Sequence, residues 1–227
     1  MRIAILGTGT LAAALGAGWT RAGHEVVIAG RSADKAADLA TRLGPTARAA
    51  SAREAATCAD AALLAVAHTG VTDVLAAADA GSGALAGTTL IDATNAMDHG
   101  AGILRLPPGG SHAGLVAALA PGAHVIKAFH LLPSEQWTAP TGPPVTVPLC
   151  GDDPNALRTT ARLVRDLGAE PAVFGDLSRA RQLEEAAGFV ISLAFAGVDP
   201  TTAVPSMPTA VSPCTTSTWS PDISPIL

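Results

Sequence analysis

A glycine-rich turn near the start of the chain limits the possible folds more than any other feature. The apolar segment Arg2–Leu6 has the length of a strand, and residues 7–12 (GTGTLA) follow it at once, before an alanine-rich segment of helical length. In the pattern G-x-G-x-x-A, the first glycine allows a tight turn and the second lets the backbone approach a pyrophosphate. The N-terminus of the next helix offers free N–H groups to that anion. The turn therefore predicts a strand–turn–helix unit that binds a dinucleotide.

Apolar runs of strand length alternate with helix-length segments along most of the chain. The predicted strands are Arg2–Leu6, Glu25–Ala29, Thr46–Ala49, Ala61–Val66, Thr88–Ile91, His124–Ala128, Val145–Leu149 and Pro171–Phe174. The predicted helices are Thr10–Ala22, Ala33–Leu43, Ala52–Cys58, Val71–Asp79, Pro154–Leu167 and Leu177–Phe195. Continuous apolar strands are typical of a sheet that is buried on both faces. The alternation therefore predicts an α/β fold with a doubly wound, mostly parallel sheet.

Two segments interrupt this pattern. Ala93–His112 is long for a connection and carries several glycines and prolines, so we interpret it as a functional loop or lid. Pro200–Leu227 is rich in Pro, Ser and Thr, and we expect a tail without a packed core of its own.

Composition excludes several functions. The 227 residues include no Tyr, so a reductase that protonates its substrate through a Tyr–Lys pair is excluded. The net charge is −5 with no basic cluster, which argues against nucleic acid as a partner. Cys58, Cys150 and Cys214 are widely spaced, which indicates a reducing cytoplasm and no metal site. No run of about 18 apolar residues is present, so we expect no membrane association.

The end of the second predicted strand indicates which dinucleotide is bound. NAD enzymes commonly place Asp or Glu there to bind the ribose 2′-hydroxyl. This chain has Gly30, Arg31 and Ser32 instead, and the first carboxylate is Asp34. A guanidinium and a hydroxyl suit a 2′-phosphate, which a carboxylate would repel. We therefore predict NADP(H) as the cofactor.

Five segments resemble the NADPH-dependent reductases of the deazaflavin coenzyme F420. They are RIAILGTGTLAAALG, GHEVVIAGRSADKA, IKAFHLLP, LCGDD and ARQLE, and they extend from residue 2 to about residue 197. The first two segments occur in many dinucleotide-binding reductases. The strand end Phe129-His130, with Pro133 three residues beyond His130, is more specific to this family.

The resemblance implies a Rossmann-type fold with a small C-terminal helical addition. We expect a cytoplasmic protein from the cysteine spacing, and a homodimer because homologous folds often dimerise. Residues 1–150 would form the NADP-binding domain, 151–198 an addition that completes the substrate pocket, and 199–227 the tail. It also implies reversible hydride transfer between NADPH and coenzyme F420, a small-molecule partner. Two rings held in contact need little side-chain chemistry for such a transfer. By the family's pattern, Thr8, His130 and Leu132 would lie beside these rings.

Several other residues follow predicted strands and are candidates for the site. Ala67 and His68 could face the nicotinamide ribose, and Asn95 could orient the cofactor amide. Lys127 either pairs with a carboxylate or points into the site, and we favour the pair. Glu184 and Glu185 are expected on a solvated helix face, with Arg181 as a partner. The predicted cofactor-binding set is Gly7, Thr8, Gly9, Thr10, Leu11, Ala12, Arg31, Ser32, Ala67, His68 and Asn95.

Two other functions remain open on sequence grounds. The chain could reduce a small imine or carbonyl metabolite with NADPH, using Lys127 or His130 as the proton donor. It could also be a regulatory module that binds NADPH without turnover.

Overall fold

The computed structural model describes residues 1–57, 59–98, 103–138 and 143–204, and eight strands in it form one sheet. The strands are β1 (Arg2–Leu6), β2 (Glu25–Ala29), β3 (Ala47–Ala49), β4 (Ala61–Leu64), β5 (Thr89–Asp92), β6 (His124–Lys127), β7 (Thr146–Gly151) and β8 (Glu170–Gly175). The helices are α1 (Thr10–Arg21), α2 (Ala33–Leu43), α3 (Ala52–Ala56), α4 (Val71–Ala77), α5 (His112–Leu119), α6 (Glu135–Thr138), α7 (Pro154–Arg165) and α8 (Ala180–Phe195).

The strand order is β3-β2-β1-β4-β5-β6-β7-β8, and β1 to β6 are parallel to one another. The chain runs outward from β1 in one direction and then returns to continue from β4 in the other. This reversal leaves a crevice at the carboxyl ends of β1 and β4, where ligands of such sheets bind. The predicted fold class, a Rossmann-type and mostly parallel sheet, is confirmed.

Helices cover both faces of the sheet because successive strand residues point to opposite sides. In β1, Ile3 and Ile5 pack with α1, α2 and α7, whereas Ala4 and Leu6 pack with α3, α4, α5 and α8. The strands are consequently buried on both faces, which explains their uninterrupted apolar sequences.

The direction of the sheet changes once, between β6 and β7. These strands are antiparallel, with Ile126 opposite Gly151 and Lys127 opposite Cys150, and β8 then runs parallel to β7. Despite this change of direction, β7 and β8 belong to the same sheet as the first six strands.

Several sequence predictions differ from the structure in detail. Helix α5 begins at His112, where we expected the end of a loop, and α8 begins at Ala180 after a 3-10 turn at Leu177–Arg179. Cys150 is buried, while Cys58, Cys214 and the tail from residue 205 lie outside the described residues. Within the described segments, no helix combines the length and the apolar character needed to cross a bilayer.

The antiparallel junction makes a prediction about stability. A Cβ atom at Gly151 would lie 2.8 Å from the Val125 carbonyl oxygen and 2.2 Å from the Ile126 side chain. We expect Gly151→Ala to lower the free energy of unfolding by about 1–3 kcal/mol, because backbone must move to admit the methyl group. Chemical denaturation measures the change. Gly81→Ala is the control, since a Cβ there meets nothing within 4 Å; equal stability losses in the two variants would contradict the steric explanation.

Candidate functional site

A cleft of about 310 Å³ opens at the reversal point between β1 and β4. Its walls come from the turn after β1, the end of β2 and the segment after β4. The lining residues are Gly7, Thr8, Gly9, Gly30, Arg31, Ser32, Lys35, Ala65, Val66, Ala67, Thr69, Gly70 and Val74. Two of these side chains are cationic and none is a carboxylate, so the cleft suits an anionic ligand.

The geometry of the glycine turn fits a bound pyrophosphate. Gly7 has a φ of 147°, and a Cβ there would lie 2.1 Å from the Ala65 carbonyl oxygen, so no other residue fits this crossing of β1 and β4. A Cβ at Gly9 would meet nothing within 4 Å, because this residue faces open space. Gly9 is also the N-cap of α1 and supplies no side chain to it. The first N–H groups of α1 are therefore available to an anion.

Three polar side chains mark the far end of the cleft, after β2. Arg31 is exposed and forms no hydrogen bond or ion pair with any described residue. The Ser32 hydroxyl oxygen accepts a hydrogen bond from the Lys35 N–H at 3.3 Å, which leaves the hydroxyl hydrogen free to donate. Lys35, one turn into α2, lines the same wall. Together they can hold a phosphate group with two cations and a hydroxyl.

A second group of predicted residues lies at the carboxyl ends of β5 and β6. The Asn95 Nδ2 donates a hydrogen bond of 2.6 Å to the His130 carbonyl oxygen, so the two strand ends are joined. The His130 side chain is buried, and neither ring nitrogen has a hydrogen-bond partner among the described residues. The Asn95 Oδ1 is likewise buried without a partner there. These atoms offer unsatisfied donors and acceptors to a ligand.

The pKa of His130 is lowered to about 3, first by burial and second by the positive charge of Lys127. Asp92 and a backbone contact with Leu183 oppose this shift but do not cancel it. The imidazole is therefore neutral at physiological pH, with one donor and one acceptor nitrogen.

A strained residue directs the chain into His130. Phe129 has a φ of 61°, a left-handed conformation that costs a residue with a side chain about 1–3 kcal/mol. Its ring makes edge-to-face contacts with Trp19 and Trp137, at centroid distances of 5.9 and 5.5 Å. These contacts stabilise the turn. Leu132, just beyond it, is half-buried against the same core.

His68 links the two parts of the site. It begins a 3-10 turn, His68–Gly70, whose later residues line the cleft, and it is half-buried. Its ring contacts the His112 ring edge-on, with centroids 6.2 Å apart. Burial lowers the pKa of His112, which favours its neutral form.

Lys127 is completely buried and lies between two carboxylates. Its Nζ is 3.0 Å from the Asp92 Oδ2 and 3.1 Å from the Glu184 Oε1. The predicted structural pair is therefore confirmed. The prediction for Glu184 is wrong: this side chain is fully buried, because α8 turns it toward the strand ends, and the neighbouring Glu185 pairs with Arg181 instead. In the described parts of the chain, no group of His, Cys, Asp and Glu side chains could hold a metal ion.

The cleft gathers one part of the predicted set, namely Gly7, Thr8, Gly9, Arg31, Ser32 and Ala67. Thr10, Leu11 and Ala12 form the first turn of α1 next to it, whereas His68, Asn95, His130 and Leu132 do not line it. Sequence reasoning missed Lys35. Its position in the first turn of the predicted helix, three residues after Ser32, could have identified it.

The interrupted segment 93–111 packs against α8 in its described parts. Within the segment, Arg105 forms a salt bridge with Asp98, and Met97 and Leu104 form an isolated antiparallel β-bridge. A Cβ at Gly188 of α8 would meet the Leu104 side chain at 2.6 Å, and Arg181 donates a hydrogen bond to the Gly110 carbonyl oxygen. Whether the segment acts as a lid stays a prediction.

Comparison with solved structures supports the fold assignment. A hypothetical protein from Sinorhizobium meliloti is 29% identical with a TM-score of 0.71, over 80% of this chain and 88% of that one. A protein of Arthrobacter sp. FB24, provisionally described as an F420-dependent NADP reductase, is 25% identical with a TM-score of 0.75, over 88% and 96% of the two chains. A reductive aminase from Aspergillus terreus is 21% identical with a TM-score of 0.65; this chain matches 62% of it, and the likeness concerns the fold.

Sequence comparison gives a family match in the N-terminal part of the chain. A comparison with curated proteins gave no match. Residues 2–96, which include the glycine turn, Arg31 and Asn95, match the model of one protein family. That family is described as NADP oxidoreductase, coenzyme F420-dependent, and the matched segment is similar to it.

Proposed function

We propose that this chain, whose N-terminal part is similar to an NADP-binding oxidoreductase family, transfers a hydride between NADPH and the deazaflavin coenzyme F420. The observation that carries the proposal is the lack of a suitable proton donor at the described ends of β5 and β6. His130 is neutral there, and the Lys127 ammonium is fixed between two buried carboxylates. Reduction of a carbonyl group needs a general acid that protonates the carbonyl oxygen. Hydride transfer between two aromatic rings mainly needs the two rings to be held close together and aligned.

The residues present fit NADPH as follows. The first turn of α1 would bind the pyrophosphate, and Gly9 would allow the backbone to approach it. Arg31, Ser32 and Lys35 would bind the 2′-phosphate. The Asn95 Oδ1 is an acceptor suited to a carboxamide N–H. Bound NADPH would supply the hydride and a bound deazaflavin would accept it, with the electron pair spread over its ring system.

At the carboxyl ends of β5 and β6, the chain would exclude water and orient the deazaflavin ring that accepts the hydride. His130 would offer one hydrogen bond from its neutral ring, and Leu132 would contribute an apolar surface. Thr8, which packs on Gly30 and lines the cleft, would face the ring pair from the cofactor side. In this scheme no described side chain has to change its protonation state during the transfer.

The cofactor preference can be tested at Arg31. We expect Arg31→Ala to raise the Kd for NADPH about ten- to hundredfold, because a charge-assisted contact with the 2′-phosphate is lost. The Kd for NADH should change little. Cofactor fluorescence titration measures both values, and Arg21→Ala, at the distant end of α1, is the control. Equal weakening of NADPH and NADH binding would contradict the assignment of the phosphate site.

The neutrality of His130 has a consequence for stability. Its pKa is about 3 in the folded protein and about 6.5 in an unfolded chain. Below about pH 6.5 the unfolded chain therefore binds a proton that the folded chain does not, and stability falls as the pH decreases toward 3. We expect His130→Gln to make this loss shallower in urea titrations between pH 7 and pH 4.

The control for this measurement is His124→Gln, since the His124 side chain is 41% exposed beside Asp153. It should retain the wild-type pH dependence of stability. An unchanged slope in His130→Gln would show that the imidazole is not held neutral by burial.

The proposed reaction has a direct optical test. Purified protein with NADPH and oxidised coenzyme F420 should bleach the visible absorbance of the deazaflavin, and Arg31→Ala should slow this bleaching at limiting NADPH. Binding of NADPH without bleaching would overturn the proposal. Oxidation of NADPH with added small imines or ketones would then indicate the imine or carbonyl reductase that the fold of the reductive aminase suggests, and no oxidation at all would indicate a binding module.

A further inference from the structure

The ionic cluster at the strand ends contains more negative than positive charge. Asp92, Lys127 and Glu184 are all fully buried, and the single ammonium lies within 3.1 Å of both carboxylates. An unbalanced charge in such a site is costly unless other groups compensate for it. Burial alone would raise the pKa of Asp92, but Lys127 and the hydrogen bonds from Thr94 lower it, so this carboxylate is ionised.

The first turn of helix α5 stabilises the negative charge of the second carboxylate, that of Glu184. The Glu184 Oε2 accepts a hydrogen bond of 2.8 Å from the His112 N–H, and its Oε1 accepts one of 3.0 Å from the Ala113 N–H. These N–H groups belong to the first turn of α5, where the helix dipole favours a negative charge. A side chain of α8 therefore joins the start of α5 to Lys127.

Lys127 extends this connection to the predicted site. Its Nζ also donates a hydrogen bond of 2.5 Å to the Thr94 carbonyl oxygen, and Thr94 binds the Asp92 Oδ1 through its N–H and its hydroxyl. The next residue, Asn95, donates to the His130 carbonyl oxygen. The connections therefore run from α8 through Lys127 and the end of β5 to the backbone at His130.

We propose that Glu184 is a positioning residue of the hydride-transfer site, which through Lys127 holds Asn95 and His130 in the arrangement that orients the second substrate. This inference rests on the proposed function. It gives α8 a role in positioning the second substrate that is separate from the binding of the cofactor by the glycine turn and the cleft. Glu184 is not among the residues that line the cleft. Its effect passes through Lys127 and the first turn of α5.

Glu184→Gln is the substitution that tests this role. Removing the ammonium of Lys127 would leave two buried carboxylates without a counter-charge, which risks general unfolding. Replacing Glu184 by glutamine instead leaves Lys127 paired with Asp92, so the remaining charges balance. The amide cannot accept from both N–H groups of α5 and bind Lys127 as the carboxylate does. The contacts of α8 are therefore weakened while the cluster keeps its shape.

The kinetic experiment compares Glu184→Gln with Glu185→Gln, a matched control one residue along the same helix. Glu185 is exposed and bound to Arg181 at the surface. We expect kcat with coenzyme F420 to fall about tenfold or more in Glu184→Gln, because small displacements at a reacting pair are costly. The Kd for NADPH should be unchanged, and Glu185→Gln should behave as wild type. Equal losses in NADPH binding and turnover, or equal effects in both variants, would overturn the proposal.

A second measurement does not depend on turnover. The imidazole nitrogen signals of His130, identified in ¹H–¹⁵N spectra by their loss in His130→Gln, should shift in Glu184→Gln and stay in place in Glu185→Gln. Unmoved signals in folded Glu184→Gln would refute the positioning role, whatever the protein reduces. Absence of wild-type activity with coenzyme F420, with shifted signals, would refute the proposed substrate alone.

A shorter carboxylate provides a further variant in case the glutamine variant fails to fold. Glu184→Asp keeps the charge but withdraws it by one methylene group from the N–H groups of α5. It should shift the same His130 signals in a folded protein. Wild-type signals in Glu184→Asp would also count against the proposal.

Discussion

The carboxyl edge of the sheet is organised by one buried ammonium group. Lys127 ends β6, pairs across the sheet with Asp92 at the end of β5, and lies opposite Cys150 of β7. Through Glu184 it also binds α8, and through that carboxylate the start of α5. The ammonium of Lys127 therefore lies where five elements come together, namely β5, β6, β7, α5 and α8. Because a buried charge must be satisfied from several sides, their relative positions are fixed more tightly than apolar packing alone would require.

The same centre changes the chemistry of its neighbours without taking part in a reaction. Its positive charge lowers the pKa values of both Asp92 and His130. The thiol of Cys150, beside it in the sheet, has a pKa raised to about 12 by burial, so this cysteine is not nucleophilic at neutral pH. The groups at these strand ends are thus unreactive at neutral pH, which is consistent with the proposed alignment of two rings.

The part of the fold that depends on local sequence could be predicted. The glycine turn, Arg31 and Ser32 follow their strands directly, so their places in the cleft follow from chain order. What could not be predicted depends on residues distant in sequence. Glu184 looks like a surface residue of an amphipathic helix until α5, which lies 72 residues earlier along the chain, is known to need its carboxylate. The antiparallel direction of β7 is likewise invisible in its apolar pattern, since buried strands of either direction share the same composition.

The reversal of β7 also determines which helix ends face the ligand. Because this strand runs against β6, α7 begins at the opposite edge of the sheet, near His124, where Asp153 accepts from the Ala156 N–H and caps it. The positive end of α7 is thereby withdrawn from the carboxyl edge and neutralised where it lies. The starts of α1, whose N-cap Gly9 supplies no side chain, and of α2, whose N-cap is Ser32, both lie at the cleft. One strand direction therefore keeps the start of α7 away from the edge of the sheet where the cleft lies.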